Sequence, residues 1–164
     1  MPSSYDATPI IEGLDAAYEA LMDSARELQE AFFIEAKERL GDGRTHVPIV
    51  ILLRKSSANS TAINWVRLFV PKGAENVAAK PYPRTIVRGT GKGNRSFKYN
   101  EQCFAFLPRK LKKLVLHYDA ILAGIREQAS AILDERRRIL SLAEKISSVM
   151  ARSADAIEHV ARSV

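Results

Sequence analysis

The apolar positions of this chain follow three patterns, and each predicts a different kind of element. Between Ile10 and Leu40, Leu14, Tyr18, Leu21, Ala25, Leu28 and Phe32 recur at alternating steps of four and three. That spacing lines them along one stripe of a helix, with Asp15, Glu19, Asp23, Glu27, Glu30, Glu35 and Glu38 on the solvated faces. No proline interrupts the run, and Gly41-Asp42-Gly43 supplies a stop, since glycine takes the left-handed terminal conformation without steric cost. Met1–Pro9 ahead of it reads as a flexible arm.

The second pattern is short and β-branched. Val47–Lys55 (VPIVILLRK) predicts a buried strand, with Pro48 near its start pointing to an edge or first-paired position. After the polar stretch Ser56–Ala62, Ile63–Val70 (INWVRLFV) predicts a second strand. Its Ile63, Trp65, Arg67 and Phe69 share one face. A short polar connection makes the two a hairpin. Tyr82–Arg88 predicts a third strand, kept off a central position by Pro81 and Pro83, with Arg84, Ile86 and Arg88 on one face. Asn100–Leu107 fits either a short helix or a strand.

The third pattern is the longest. From Pro108, suited to a first helical turn, Leu111, Val115, Tyr118, Leu122, Ile125, Ala129, Ile132, Arg136, Ile139, Ala143, Ile146 and Met150 hold one heptad register. Only Arg136 breaks its apolar character. This predicts a helix to about Arg152, with Arg136 paired to an acid such as Glu27 across a hairpin, or setting register in a dimer. The fold class is therefore α+β: a small three-stranded antiparallel sheet flanked by an N-terminal helix and a long C-terminal helix. The expected organisation is an arm over 1–9, a basic α+β domain over 10–113 and a helical extension over 114–164.

Charge changes the picture more than composition does. The net charge is +6 over 164 residues, but Met1–His46 carries four Lys/Arg against ten Asp/Glu. Val47–Lys113 carries fourteen against two, and Leu114–Val164 seven against seven. Basic charge is thus confined to the middle of the chain, and its centre is Lys80–Tyr99 (KPYPRTIVRGTGKGNRSFKY). Lys80, Arg84, Arg88, Lys92, Arg95 and Lys98 lie there without one acid, interleaved with Tyr82, Phe97 and Tyr99 and loosened by Gly89, Gly91 and Gly93. A strand leading into such a loop suits phosphate contacts, and its aromatics suit stacking on unpaired bases or the core side of the sheet. Arg67, Lys72, Lys112 and Lys113 extend the same candidate surface, with Arg54, Lys55, Arg109 and Lys110 beside it.

Catalytic and metal chemistry find little footing. His46, His117 and His159 have no ligand spacing, and the basic region contains only Glu75 and Glu101 as carboxylates. Gly89-Thr90-Gly91-Lys92-Gly93 lacks the spacing of a Walker loop and does not lead into a helix pattern. The single cysteine, Cys103, reads as a small core residue, and cannot form an internal disulfide. No cofactor is expected. No apolar run reaches the roughly 20 residues of a membrane span, and the N-terminus lacks a signal-peptide order, so a cytoplasmic location is expected.

Several segments together resemble one family. Ile63-Asn64-Trp65, Thr85-Ile86-Val87-Arg88-Gly89, Gly91-Lys92-Gly93-Asn94-Arg95, Phe106-Leu107-Pro108 and Ala123-Gly124-Ile125-Arg126 are similar to the MobI-type accessory proteins of bacterial conjugation, over roughly residues 25–140. The resemblance implies a factor that acts at the origin of transfer, beside other proteins of the transfer machinery, and is not an enzyme. With the charge map, the reading is a DNA-binding accessory protein, dimeric through its helical seam. Two other readings are a coiled-coil adaptor for a protein partner and a general single-stranded or RNA binder.

Overall fold

The computed structural model describes residues 5–41, 46–70, 81–89 and 97–163. The chain is α+β, in the order α1 (Thr8–Leu40), β1 (Ile49–Ser57), β2 (Ser60–Phe69), β3 (Tyr82–Thr85), a short 3-10 helix (Glu101–Phe104) and α2 (Arg109–Ser163). The three strands form one antiparallel sheet with β2 in the middle.

Local chemistry sets most boundaries. Helix α1 starts two residues before the apolar period does, because the Asp6 carboxylate accepts the Thr8 N–H at 2.9 Å and Pro9 needs no amide partner. Hydrogen bonds from the Thr8 side chain and N–H hold the Asp6 carboxyl below its ordinary value. The helix ends on Gly41, at φ 72°, whose N–H reaches Glu38 O.

The hairpin is tighter than the polar stretch Ser56–Ala62 suggested. Its strands continue to the Ser57↔Ser60 pair, with only Ala58 and Asn59 turning. The Ser60 hydroxyl lies 2.7 Å from that of Ser56 and 2.8 Å from that of Ser57, so side chains satisfy what a loop would leave to water. Strand β1 starts at Ile49, not Val47, although Leu68 N–H still donates to Pro48 O. The third strand is shorter than predicted: β3 stops at Thr85, with Ile86 N–H adding one last bond to Trp65 O. It is an edge strand, as its prolines required.

The contacts divide the chain into two compact units. In Leu21–Gln128 the core is aromatic and centres on Trp65, which is fully buried. Phe32 meets its ring edge-on with centroids 4.9 Å apart, Phe104 does so at 5.9 Å, and Tyr118 packs on Phe32 at 5.3 Å. Ile49, Ile51 and Ile63 fill the same sheet face. Gln29 on α1 donates to Ile51 O at 2.7 Å and ties the helix to β1. On α2, Leu111, Val115, Tyr118, Leu122 and Ile125 are buried, and they are the predicted seam positions.

In the unit of Met1–Ala20 with Ala129–Val164, Tyr18 and Ala129 are buried. Arg136 does not pair with Glu27 as suggested. It donates to Asp15 at 2.8 Å, since an acid on the first turns of α1 is the one within reach. Helix α2 also runs past Arg152 to Ser163. The heptad lapses after Met150, but residues 153–163 contain no proline or glycine to break the backbone.

Candidate nucleic-acid interface

The strand register decides which of the basic residues meet. Arg67 on β2 stands directly opposite Arg84 on β3, and two positions along Phe69 stands opposite Tyr82. Cross-strand partners project from the same side of a sheet, so all four share the face that carries Trp65. The Arg67 guanidinium lies between two rings, 4.0 Å from the Phe106 centroid and 4.4 Å from that of Phe69. Arg84 approaches the same Phe69 ring at 5.6 Å. Tyr82 stacks on Phe69 at 5.4 Å with an interplanar angle of 14°, and remains 46% exposed.

Two guanidinium groups opposite each other repel. Strands β2 and β3 contain no Asp or Glu, and among the described residues neither arginine has a carboxylate partner. The aromatic faces offset part of this repulsion; an anion placed above the pair would offset more.

The remaining predicted residues behave differently. Arg88 is half-buried: it donates to Phe97 O at 3.5 Å and lies over the Tyr99 ring at 5.7 Å, so it shapes the foot of the basic loop. Lys112 pairs with Glu101 at 2.8 Å, joining α2 to the 3-10 helix, and holds the Glu101 carboxyl below its ordinary value. Lys98 and Lys113 are exposed. Lys72, Lys80, Lys92 and Arg95 lie outside the described residues, as does most of the glycine-rich loop.

Of the two roles open to the loop's aromatics, Tyr99 takes the core side. It is buried: its N–H donates to Asp119 Oδ2 at 2.8 Å, its hydroxyl accepts the Trp65 N–H at 3.3 Å, and burial raises its pKa. Of the aromatics proposed for stacking, Tyr82 faces solvent and Tyr99 belongs to the core.

A buried polar cluster that local patterning does not reveal joins β2, Phe97–Tyr99 and α2. Asp119 is fully buried on α2 and accepts three donors: Trp65 Nε1 at 2.9 Å, Arg126 at 2.9 Å and the Tyr99 amide. Arg126, also buried, donates in addition to Ile63 O at 3.0 Å and Phe97 O at 2.8 Å. Burial pulls its guanidinium below the ordinary arginine value, and the Asp119 carboxylate opposes that. Spacing offered one clue, since residues seven apart share a helix face and this one borders the apolar seam. The cluster fixes strand β2, the segment ending at Tyr99 and helix α2 together. It is a support for the basic surface, closed to solvent.

Among the described residues, no group of three or more His, Cys, Asp or Glu is placed to hold a metal ion. Cys103 is half-buried, with Sγ 3.8 Å from Val87 O. No described helix is long and apolar enough to cross a membrane.

No curated protein and no solved structure gives a match to the chain. One family model, MobI protein, matches residues 21–140, a span that takes in the whole sheet, the arginine pair and the buried Asp119–Arg126 cluster. With most of its length matched, the chain belongs to the MobI family, an accessory family of conjugative mobilisation.

Proposed function

We propose that the chain binds DNA in conjugative transfer, near the origin of transfer, through its basic sheet and loop. The observation that supports this most is the juxtaposed Arg67 and Arg84, without a carboxylate partner among the described residues, on strands that carry no acid. A polyanion is the partner such a pair lacks. In this reading Arg67 and Arg84 anchor the backbone, Lys72, Lys80, Lys92, Arg95 and Lys98 add contacts from the loops, and Lys113 adds one from α2. Arg88 and Lys112 hold the surface in shape. Contacts of this kind position a protein on phosphates and specify no sequence by themselves. The family role suits a binder that assists other transfer proteins and performs no chemistry of its own.

The test is charge reversal. Arg84→Glu combined with Lys92→Glu, Arg95→Glu and Lys98→Glu is expected to abolish retention of a DNA fragment in a gel shift at moderate salt. Retention unchanged in a variant with wild-type circular dichroism would overturn the reading.

A homodimer through α2 is part of the same proposal. Leu142, Val149, Ile157 and Val160 are each more than half exposed along its C-terminal part, at helical spacing. Light scattering at micromolar concentration is expected to give twice the 18.2 kDa chain mass. A mass of one chain would contradict the dimer.

A further inference from the structure

We infer that the Phe69–Tyr82 stack, with Arg67 and Arg84, is a base-stacking site for single-stranded DNA. This rests on the DNA-binding reading and narrows it to strands whose bases are unpaired. Tyr82 sits on the edge strand with one ring face against Phe69, in near-parallel contact at 5.4 Å and 14°. Its 46% exposure leaves ring surface open to solvent. A base inside a duplex has both π-faces covered by its neighbours, whereas an unpaired base can continue such a stack.

The surroundings are already arranged for that use. The Arg67 guanidinium lies over both the Phe69 and Phe106 rings, with centroids at 4.4 and 4.0 Å, so little rotamer freedom is left to lose on binding. Arg84, directly across from it and exposed, can reach a phosphate flanking the stacked base. Tyr99 cannot serve, being buried on Asp119, nor can Phe104, packed on Trp65. The alternation of aromatic and guanidinium across two strands thus makes a surface on which stacking and backbone neutralisation coincide. Because every base has a π-face, such a site tolerates any sequence.

The experiment measures fluorescence anisotropy of the full chain with three labelled probes: a mixed-sequence single-stranded DNA, its duplex, and single-stranded RNA of that sequence. The expected order is single-stranded DNA tightest. Tyr82→Ala is expected to weaken it about tenfold, within the range of one lost stacking contact, and to leave duplex binding within about twofold. Tyr82→Phe, which keeps the ring and loses only the hydroxyl, is expected to restore wild-type affinity. Equal losses on both DNA probes, no loss on either, or failure of Tyr82→Phe to rescue would each overturn the stacking site while leaving DNA binding intact. Tighter binding of the RNA would overturn the DNA assignment. Wild-type protein that binds none of the probes would instead overturn the function on which the inference rests.

Discussion

Replacing Asp119 with alanine is expected to cost the fold about 3–5 kcal/mol, the range for breaking a buried ion pair by removing one partner. The carboxylate is fully buried and is the common acceptor for Trp65 Nε1, the Tyr99 N–H and the Arg126 guanidinium. Its removal leaves a buried cation uncompensated and two buried donors unsatisfied. Arg126 cannot turn to water, since its side chain is 5% exposed and its Nε remains engaged with Ile63 O. In a chain of this size the loss corresponds to a fall in Tm of roughly 10 °C. Asp119→Asn keeps the shape and one acceptor, and is expected to lose less. A thermal melt checks both. Asp119→Ala within about 1 kcal/mol of wild type would show that the cluster does not hold the sheet to α2.

A second consequence concerns the surface. Tyr99 leads directly back into the basic loop, and Phe97 O is held by both Arg126 and Arg88. Loss of Asp119 therefore loosens Phe97–Tyr99 without removing any residue proposed to contact DNA. Reduced DNA affinity in that variant is to be read as displacement of the surface.

Much of this architecture was legible in the sequence wherever one period runs long. The seam from Leu111 to Ala129 is buried at its predicted positions because a heptad signal over many turns outweighs local ambiguity. The face shared by Ile63, Trp65, Arg67 and Phe69 followed from alternation alone. What escaped were contacts between residues far apart in the chain. Tyr99 reads locally as one more aromatic in a basic loop. It is buried because Asp119 and Trp65, 20 and 34 positions away, receive it. Asp119 and Arg126 read as polar residues on a seam's edge, and neither reveals the other until the helix is packed. Arg136 showed that a buried-side cation needed an acid but not which one, and helix α1 offers several.

The candidate site divides the same way. Arg67 and Arg84 were both visible as cations, but their meeting depends on the β2–β3 register, which no turn signature between the strands specifies. Phe69 and Phe106 do not read as partners of arginine in the sequence, because aromatic residues near a sheet are ordinarily core. Exposure separates Tyr82, the aromatic proposed for stacking, from the buried Tyr99, and exposure is not a property of composition.

If the basic face neutralises phosphates, the strength of DNA binding depends on salt. Each phosphate contact releases counterions, with a slope of log affinity against log salt of about −0.7 per contact on single strands and −0.9 on duplex. About six contacts would then lower affinity by roughly a thousandfold on duplex DNA between about 50 and 200 mM salt, and by several hundredfold on a single strand. An adaptor that docked through apolar helix faces would change little over that range. The decisive measurement is a salt titration of DNA binding by the intact chain. A slope of about −4 or steeper is the expected result. Affinity that is flat across the titration, or no DNA binding even at the lowest salt, would contradict the account.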